Sequence, residues 1–277
     1  MYDHLVENYY GATPKIPEVN PKFLLEAVKL YGVKEDPKLP TECGIEVELE
    51  KVKGYHGMFW KQEKDGSLKD KGAEFITFPL KSELVPYALA EYVDILKHNN
   101  QSVFSHRCSI HVHINVSKLT VGQLRALLAT YLVLENYYFN MVNADRKGNS
   151  YCYPLVDARL TWENCQPHKI SDHFKYAALN IHHLRDYGTL EFRHHGGTKN
   201  PLDLFRWIQV IMQLYSYVNK RTLEEIEEAI MGLNAESNYL EFMVDVMEKN
   251  QTLFFGMDHH KMMRNNVTAA KLFLSEL

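Results

Sequence analysis

"CSIHVHINVS", residues 108–117, alternates strictly: Ile110, Val112, Ile114 and Val116 fall on one side, His111, His113 and Asn115 on the other. A two-residue period is the signature of a β-strand with one buried face. The polar face of a solvated strand normally meets water through Lys or Thr. Two imidazoles and an amide in a row ask for another partner.

Three further segments share the peculiarity. "GIEVELE", residues 44–50, sets Glu46, Glu48 and Glu50 opposite Ile45, Val47 and Leu49. "GAEFITFP", residues 72–79, puts Glu74 on a face with Ile76 and Phe78, and "TLEFRHHG", residues 189–196, sets Glu191, Arg193 and His195 opposite Leu190, Phe192 and His194. Like charges two apart on one face repel, and carboxylates are poor strand formers, so something must offset them. A hard divalent cation does so, because Mg²⁺ and Mn²⁺ take oxygen ligands from several strands at once. Arg193 adds a fork suited to phosphate oxygens, and an imidazole donates to phosphate or ligates a metal. Carboxylates, metal, Arg and His on one sheet face are the parts that phosphoryl transfer from ATP requires. Taken singly each strand has a plainer reading: a solvated Glu-x-Glu face, a core-satisfied His pair, a surface Glu-Arg ion pair. Their joint occurrence favours function.

Outward from these strands the chain reads as α+β. Residues 1–40 are a Pro-containing leader that packs on the body, with a short helix at 21–32 between Pro21 and Gly32. "CGIEVELEK", "GMFWKQ" and "GAEFITFP" are strands joined by short connections, the second holding the turn pair Asp65-Gly66, which favours antiparallel pairing. A helix at 82–98 with Ser82 as N-cap precedes the His strand, and a long helix from Thr120 to about Met141 follows it. Leu124, Leu127, Leu128, Tyr131, Leu132 and Glu135 recur along that helix at helical spacing. "KYAALNIHHL" and "GTLEFRHHG" are further strands, and three or four helices fill the last third. The expected architecture is a mainly antiparallel sheet with flanking helices and a helical C-terminal part. We read residues 1–277 as a single catalytic domain: leader 1–40, sheet core 41–198, helical part 199–277.

Bulk properties exclude rather than assign. The 277 residues are 45% hydrophobic and 24% charged, with a net charge of −4, so no bulk positive field recruits nucleic acid, a local basic groove apart. No basic segment followed by an apolar run opens the chain, and no apolar run has membrane-spanning length, so no membrane partner is expected. Cys43, Cys108, Cys152 and Cys165 form no C-x-x-C pair, as expected of reduced thiols in the cytoplasm.

The order of the motifs then carries a resemblance. "GIEVELE", Trp60 and "DGSL" leading into "GAEFITFP", "CSIHVHIN" and "TLEFRHHGGT" together resemble the putative amidoligase family, of the carboxylate-amine ligase superfamily that includes glutamine synthetase and glutamate-cysteine ligase. The matching blocks span about residues 43–198. The resemblance implies a glutamine-synthetase-like sheet whose concave face binds ATP and several Mg²⁺ (or Mn²⁺) ions. Such enzymes phosphorylate a carboxylate and let an amine attack the acyl phosphate. Position by position, Glu46 and Glu48 match the first metal-binding strand, Asp65 and Glu74 the acidic positions of the next hairpin, and Glu191 a metal ligand on the last strand. His111 or His113 matches the His facing nucleotide or metal, and Arg193 the phosphate contact, which makes Arg193 and Glu191 the catalytic pair. Asp65 reads equally as an Asp-Gly hairpin turn, and Glu50 as the strand's solvent end. Asn180 is expected to cap a strand rather than orient substrate. His182 and His183 are expected to be structural, and His194, His195, Gly196 and Gly197 to form a substrate-side loop.

No Gly-x-x-x-x-Gly-Lys-Ser/Thr loop is present, so the sheet itself must hold the nucleotide. Two other readings stay open: a metal-dependent hydrolase or amidase using the His and Glu residues, and a nucleotide-binding regulator without turnover. The expected partners are small-molecule or peptide carboxylates and amines. Residues 143–175, with Tyr151, Tyr153, Arg159 and Trp162, and the helical tail are expected to wall the acceptor pocket. Arg159 reads either as a carboxylate grip or as a surface residue. Oligomeric state is left open.

Overall fold

A computed structural model describes residues 39–142, 144–166, 168–247 and 259–276. The helix expected at 21–32 lies outside the described residues. Along the chain run β1 (Cys43–Leu49), β2 (Trp60–Glu63), β3 (Ala73–Thr77), α1 (Val85–His98), β4 (Ser109–Asn115), α2 (Val121–Met141), β5 (Leu179–Asn180) and β6 (Thr189–Gly196). The helices α3 (Pro201–Asn219), α4 (Leu223–Met231), α5 (Glu236–Met247) and α6 (His259–Ser275) complete them. The fold is α+β with antiparallel strand pairing, as the alternation predicts. None of the described helices is long and apolar enough to cross a membrane. The chain divides into two compact units, one running to Ile114 and resuming over Gly196–Ile208, the other holding Asn115–His195 and Gln209 onward.

In the first unit β2, β3, β1 and β4 hydrogen-bond in that order. Opposed positions of antiparallel strands share a face. One cross-strand row therefore runs Glu63, Glu74, Glu48, and the next runs Lys61, Ile76, Glu46, His111, with His113 opposite Gly44. The other face is apolar: Ile45, Val47, Leu49, Phe75, Ile110 and Val112 are buried. Helix α1 packs on it, with Tyr92 tilted against Trp60 at 5.7 Å between ring centroids and Trp60 Nε1 donating to the Ala88 carbonyl at 2.7 Å. Ser82 is not its N-cap. A 3-10 turn (Ser82–Leu84) precedes α1, Leu84 holds the cap position without a side-chain bond, and Ser82 Oγ accepts the Leu39 N–H at 2.7 Å. Pro86 explains this: it removes one of the first-turn N–H groups that a cap would satisfy.

In the second unit α2 opens on a reciprocal capping box between Thr120 and Gln123, and most of its length is buried, as its pattern predicts. Arg125 Nη2 donates to the Leu274 carbonyl at 2.8 Å, so a cation sits at the C-terminal end of α6 where the helix dipole favours it. The expected strand "KYAALNIHHL" shrinks to the two residues of β5, because 3-10 turns (Asp172–Tyr176, His182–Leu184) flank it. Asn180 Oδ1 accepts the His182 N–H at 2.8 Å and turns the chain away.

Candidate active site

The polar face of the first unit's sheet gathers a cluster. Glu46, Glu74 and His111 each bring a ligating atom within 4.8 Å of one another. Glu46 is the hub: Oε2 lies 3.1 Å from His111 Nδ1, and Oε1 lies 2.9 Å from His113 Nε2. Behind His111, Ser109 Oγ lies 2.7 Å from Nε2, and the Ser109 N–H and hydroxyl both reach Glu48 Oε2 at 2.6 Å. With its hydroxyl proton given to Glu48, Ser109 accepts from His111 Nε2–H. His111 Nδ1 faces the Glu46 carboxylate, donating to it when the ring is protonated and free to ligate a cation lying between them when it is not. Burial, and next the charge of Glu46, push the Glu74 carboxyl up to about 9. Two carboxyls this close hold a proton or a cation between them.

The other acidic positions of this unit fall outside that group of three. Glu48 is buried and serves Ser109. Asp65 sits in the β2–β3 connection, with its oxygens accepting the Ser67 N–H (2.7 Å) and Ser67 Oγ–H (2.9 Å), the pattern of an Asx-turn. Glu50 is not at a solvent end. It is 5% exposed, and Oε1 accepts the Lys69 N–H at 2.8 Å, which pins the hairpin loop to the sheet. Ser109 escaped the sequence reading, although its place two residues before His111 on the same strand face was a usable signal.

The second unit holds the other pair. Glu191, 1% exposed, accepts Arg193 Nη1 on Oε1 at 2.5 Å. Its Oε2 accepts Asn180 Nδ2, the residue opposite it across β5 and β6, and lies 3.2 Å from His183 Nε2. Asn180 and His183, expected to be a strand cap and a structural histidine, thus also fix this carboxylate. Arg193 Nε donates to the Tyr151 carbonyl at 3.3 Å.

His194 belongs to the core rather than to a substrate-side loop. It lies on the apolar side of β6, fully buried, with Nε2 2.9 Å from Tyr131 Oη and its ring 4.9 Å from that of Phe139. Burial, then the nearby Arg146 charge, hold its pKa well below the usual imidazole value. Gly197 is small for packing reasons, since a Cβ there would meet Phe104 Cδ1 at 1.8 Å. Arg159 is exposed, in a left-handed conformation at φ 51°. Trp162 lies edge-on to Phe273 and beneath Arg125, in helix packing.

Sequence reading also overlooked the chemistry of Glu135, a buried carboxylate on α2. It accepts Tyr131 Oη at 2.8 Å and the Leu155 and Val156 N–H groups at 2.5 and 3.0 Å. Desolvation outweighs these donors and pushes its pKa to about 7. A carboxyl whose folded pKa exceeds its unfolded value stabilises most below the unfolded pKa, and that contribution is lost as pH rises toward 7. Burial of this one group should therefore cost on the order of 3 kcal/mol of stability between pH 4.5 and 8. Denaturant unfolding across that range should show a flatter pH dependence for Glu135→Gln, and identical slopes would refute the assignment.

Fold and clusters together describe an α+β protein that presents carboxylates and imidazoles on β-strands and a buried Glu-Arg pair on another. A family model described as a putative amidoligase enzyme matches residues 46–215, from the Glu46 hub through β6 into α3. The match spans more than half of the chain, and the protein belongs to this amidoligase family, an enzyme of ligase type. Comparison with curated proteins finds no match.

Proposed function

We propose that the protein is an ATP-dependent carboxylate-amine ligase. It phosphorylates a small-molecule or peptide carboxylate with ATP, and an amine then displaces phosphate to give an amide, ADP and phosphate. A bare carboxylate is a poor acceptor because its leaving group is oxide. Phosphorylation supplies a better one. The observation that carries the reading is the Glu46–Glu74 carboxyl pair beside His111, close enough to share a proton that a cation can replace. Carboxylate oxygens and one imidazole suit Mg²⁺ or Mn²⁺. When bound, such ions neutralise the phosphate charge as the γ-phosphoryl group moves.

The chain's own groups divide the remaining work. Glu46, Glu74 and His111 hold the cation, Glu48 orients His111 through Ser109, and His113 steadies Glu46 and faces the nucleotide. The contact of Glu191 with Arg193 keeps the guanidinium placed for phosphate oxygens. Four buried free thiols suit a reducing cytoplasm. The test is phosphate release from Mg-ATP over pooled amino acids, polyamines and short peptides, with mass spectrometry of the products. Release that requires both a carboxylate and an amine, with a new amide of matching mass, is the expected result. Amide hydrolysis without ATP, or no binding of Mg-ATP, would overturn the reading.

A further inference from the structure

Arg193 bears the phosphate contact in this reading, and its backbone is held in an uncommon way. Pairing with β5 covers Phe192 and Glu191, and the Arg193 N–H still finds a strand-like partner, the Ala178 carbonyl at 2.8 Å. The Arg193 carbonyl instead receives side chains: Arg146 Nη2 at 2.8 Å and Cys152 Sγ at 3.3 Å. Arg146 Nε reaches the next carbonyl, that of His194, at 3.2 Å. One guanidinium thus clamps two consecutive peptide units of β6.

That clamp is costly. Arg146 is 3% exposed, and carbonyl dipoles compensate a buried cation less completely than a carboxylate does. The same short segment also grips the Arg193 side chain, since Tyr151 supplies the carbonyl that accepts Arg193 Nε. On the next residue, His194 is tied by Nε2 to Tyr131, which in turn reaches Glu135. Every one of these ties bears on residues 193 and 194, the point from which the guanidinium departs. A strand held only for stability needs no buried cation here, because a longer β5 would have satisfied the same carbonyl.

We propose that Arg146 is a positioning residue for phosphoryl transfer: by taking the Arg193 and His194 carbonyls it fixes the Arg193 guanidinium in the orientation that meets phosphate oxygens. The inference rests on the reading of Arg193 as the phosphate contact. Lys cannot replace it, because a single ammonium lacks the fork that spans two carbonyls in fixed directions.

The experiment uses the full chain labelled with ¹⁵N-arginine, with the Arg193 Nε–H resonance assigned by its loss in Arg193→Lys. Arg146→Lys keeps the charge and most of the stem, and so supplies a folded variant should Arg146→Met fail to fold. Arg146→Lys is expected to shift or broaden the Arg193 resonance and to lower kcat/KM for ATP by about tenfold to a hundredfold. An unchanged resonance together with unchanged turnover overturns the proposal. A displaced resonance in a chain whose wild type neither binds nor turns over Mg-ATP upholds the positioning of Arg193 and removes the ligase reading instead.

Discussion

Glu46→Gln should lower ATP-dependent amide formation by about a hundredfold or more, with weakened binding of Mn²⁺ as its cause. Glu46 touches His111 through one oxygen, His113 through the other, and crowds the Glu74 carboxyl. Glutamine keeps the shape but gives up the charge and replaces one acceptor with an NH₂ that cannot ligate. Mn²⁺ affinity, read by calorimetry, should fall at least about tenfold. Stability should move the other way, because the Glu46 charge, which after burial does most to disfavour the Glu74 carboxylate, disappears, so the thermal midpoint of the metal-free protein should hold or rise. Glu50→Gln makes the contrast. Its carboxylate serves the Lys69 N–H, so that variant should lose some stability and leave Mn²⁺ affinity alone. If Glu46→Gln bound Mn²⁺ as tightly as wild type, the Glu46, Glu74 and His111 group would not be the cation site.

The first-unit cluster was legible in the sequence because strand alternation is a local property. Given three strands with polar residues at even spacing, Glu46, Glu48, Glu74, His111 and His113 had to share a face once antiparallel pairing was granted. What alternation cannot supply is register. Whether Glu46 or Glu48 stood beside His111 depended on a two-residue slip that leaves every face assignment intact. The observed register puts Glu46 opposite His111 and leaves Glu48 to be reached through Ser109.

The second-unit cluster was half legible. Glu191 and Arg193 announce themselves as a Glu-x-Arg pair on a strand, but their neighbours come from β5 and the turn after it, where the chain follows no period. Asn180 reaches Glu191 because a two-residue strand happens to pair there, and His183 arrives through a 3-10 turn. His194 was misread because runs such as His-His-Gly-Gly look like a loop, whereas the alternation of β6 continues through Gly196 and turns His194 into the core. Buried groups such as Glu135 and Arg146 are the hardest to find. Each lies in a segment whose pattern argues only for helix or turn, and its role appears when backbone N–H and carbonyl groups from distant residues converge on it.

Arg193→Lys and Arg193→Met should separate charge from shape at the phosphate contact. Glu191 is buried beneath Arg193 and also meets Asn180 and His183. Lys preserves a cation over that carboxylate, so its folded state should survive with a small loss of thermal stability. Met removes the counter-charge, and breaking a buried pair in this way costs about 3–5 kcal/mol. Catalysis should follow a different order. A phosphoryl group in flight spreads charge over oxygens that a planar fork meets in pairs, whereas an ammonium meets them as a point. Arg193→Lys should therefore lose about 10²–10³ in kcat although it remains folded, a loss typical of removing one preorganised donor from a transition state. Phosphate release and calorimetric melting on the same two variants check both halves. Full turnover in Arg193→Lys would mean that a positive charge over Glu191 is all the site requires, and the guanidinium fork would then have no part in holding the phosphoryl group.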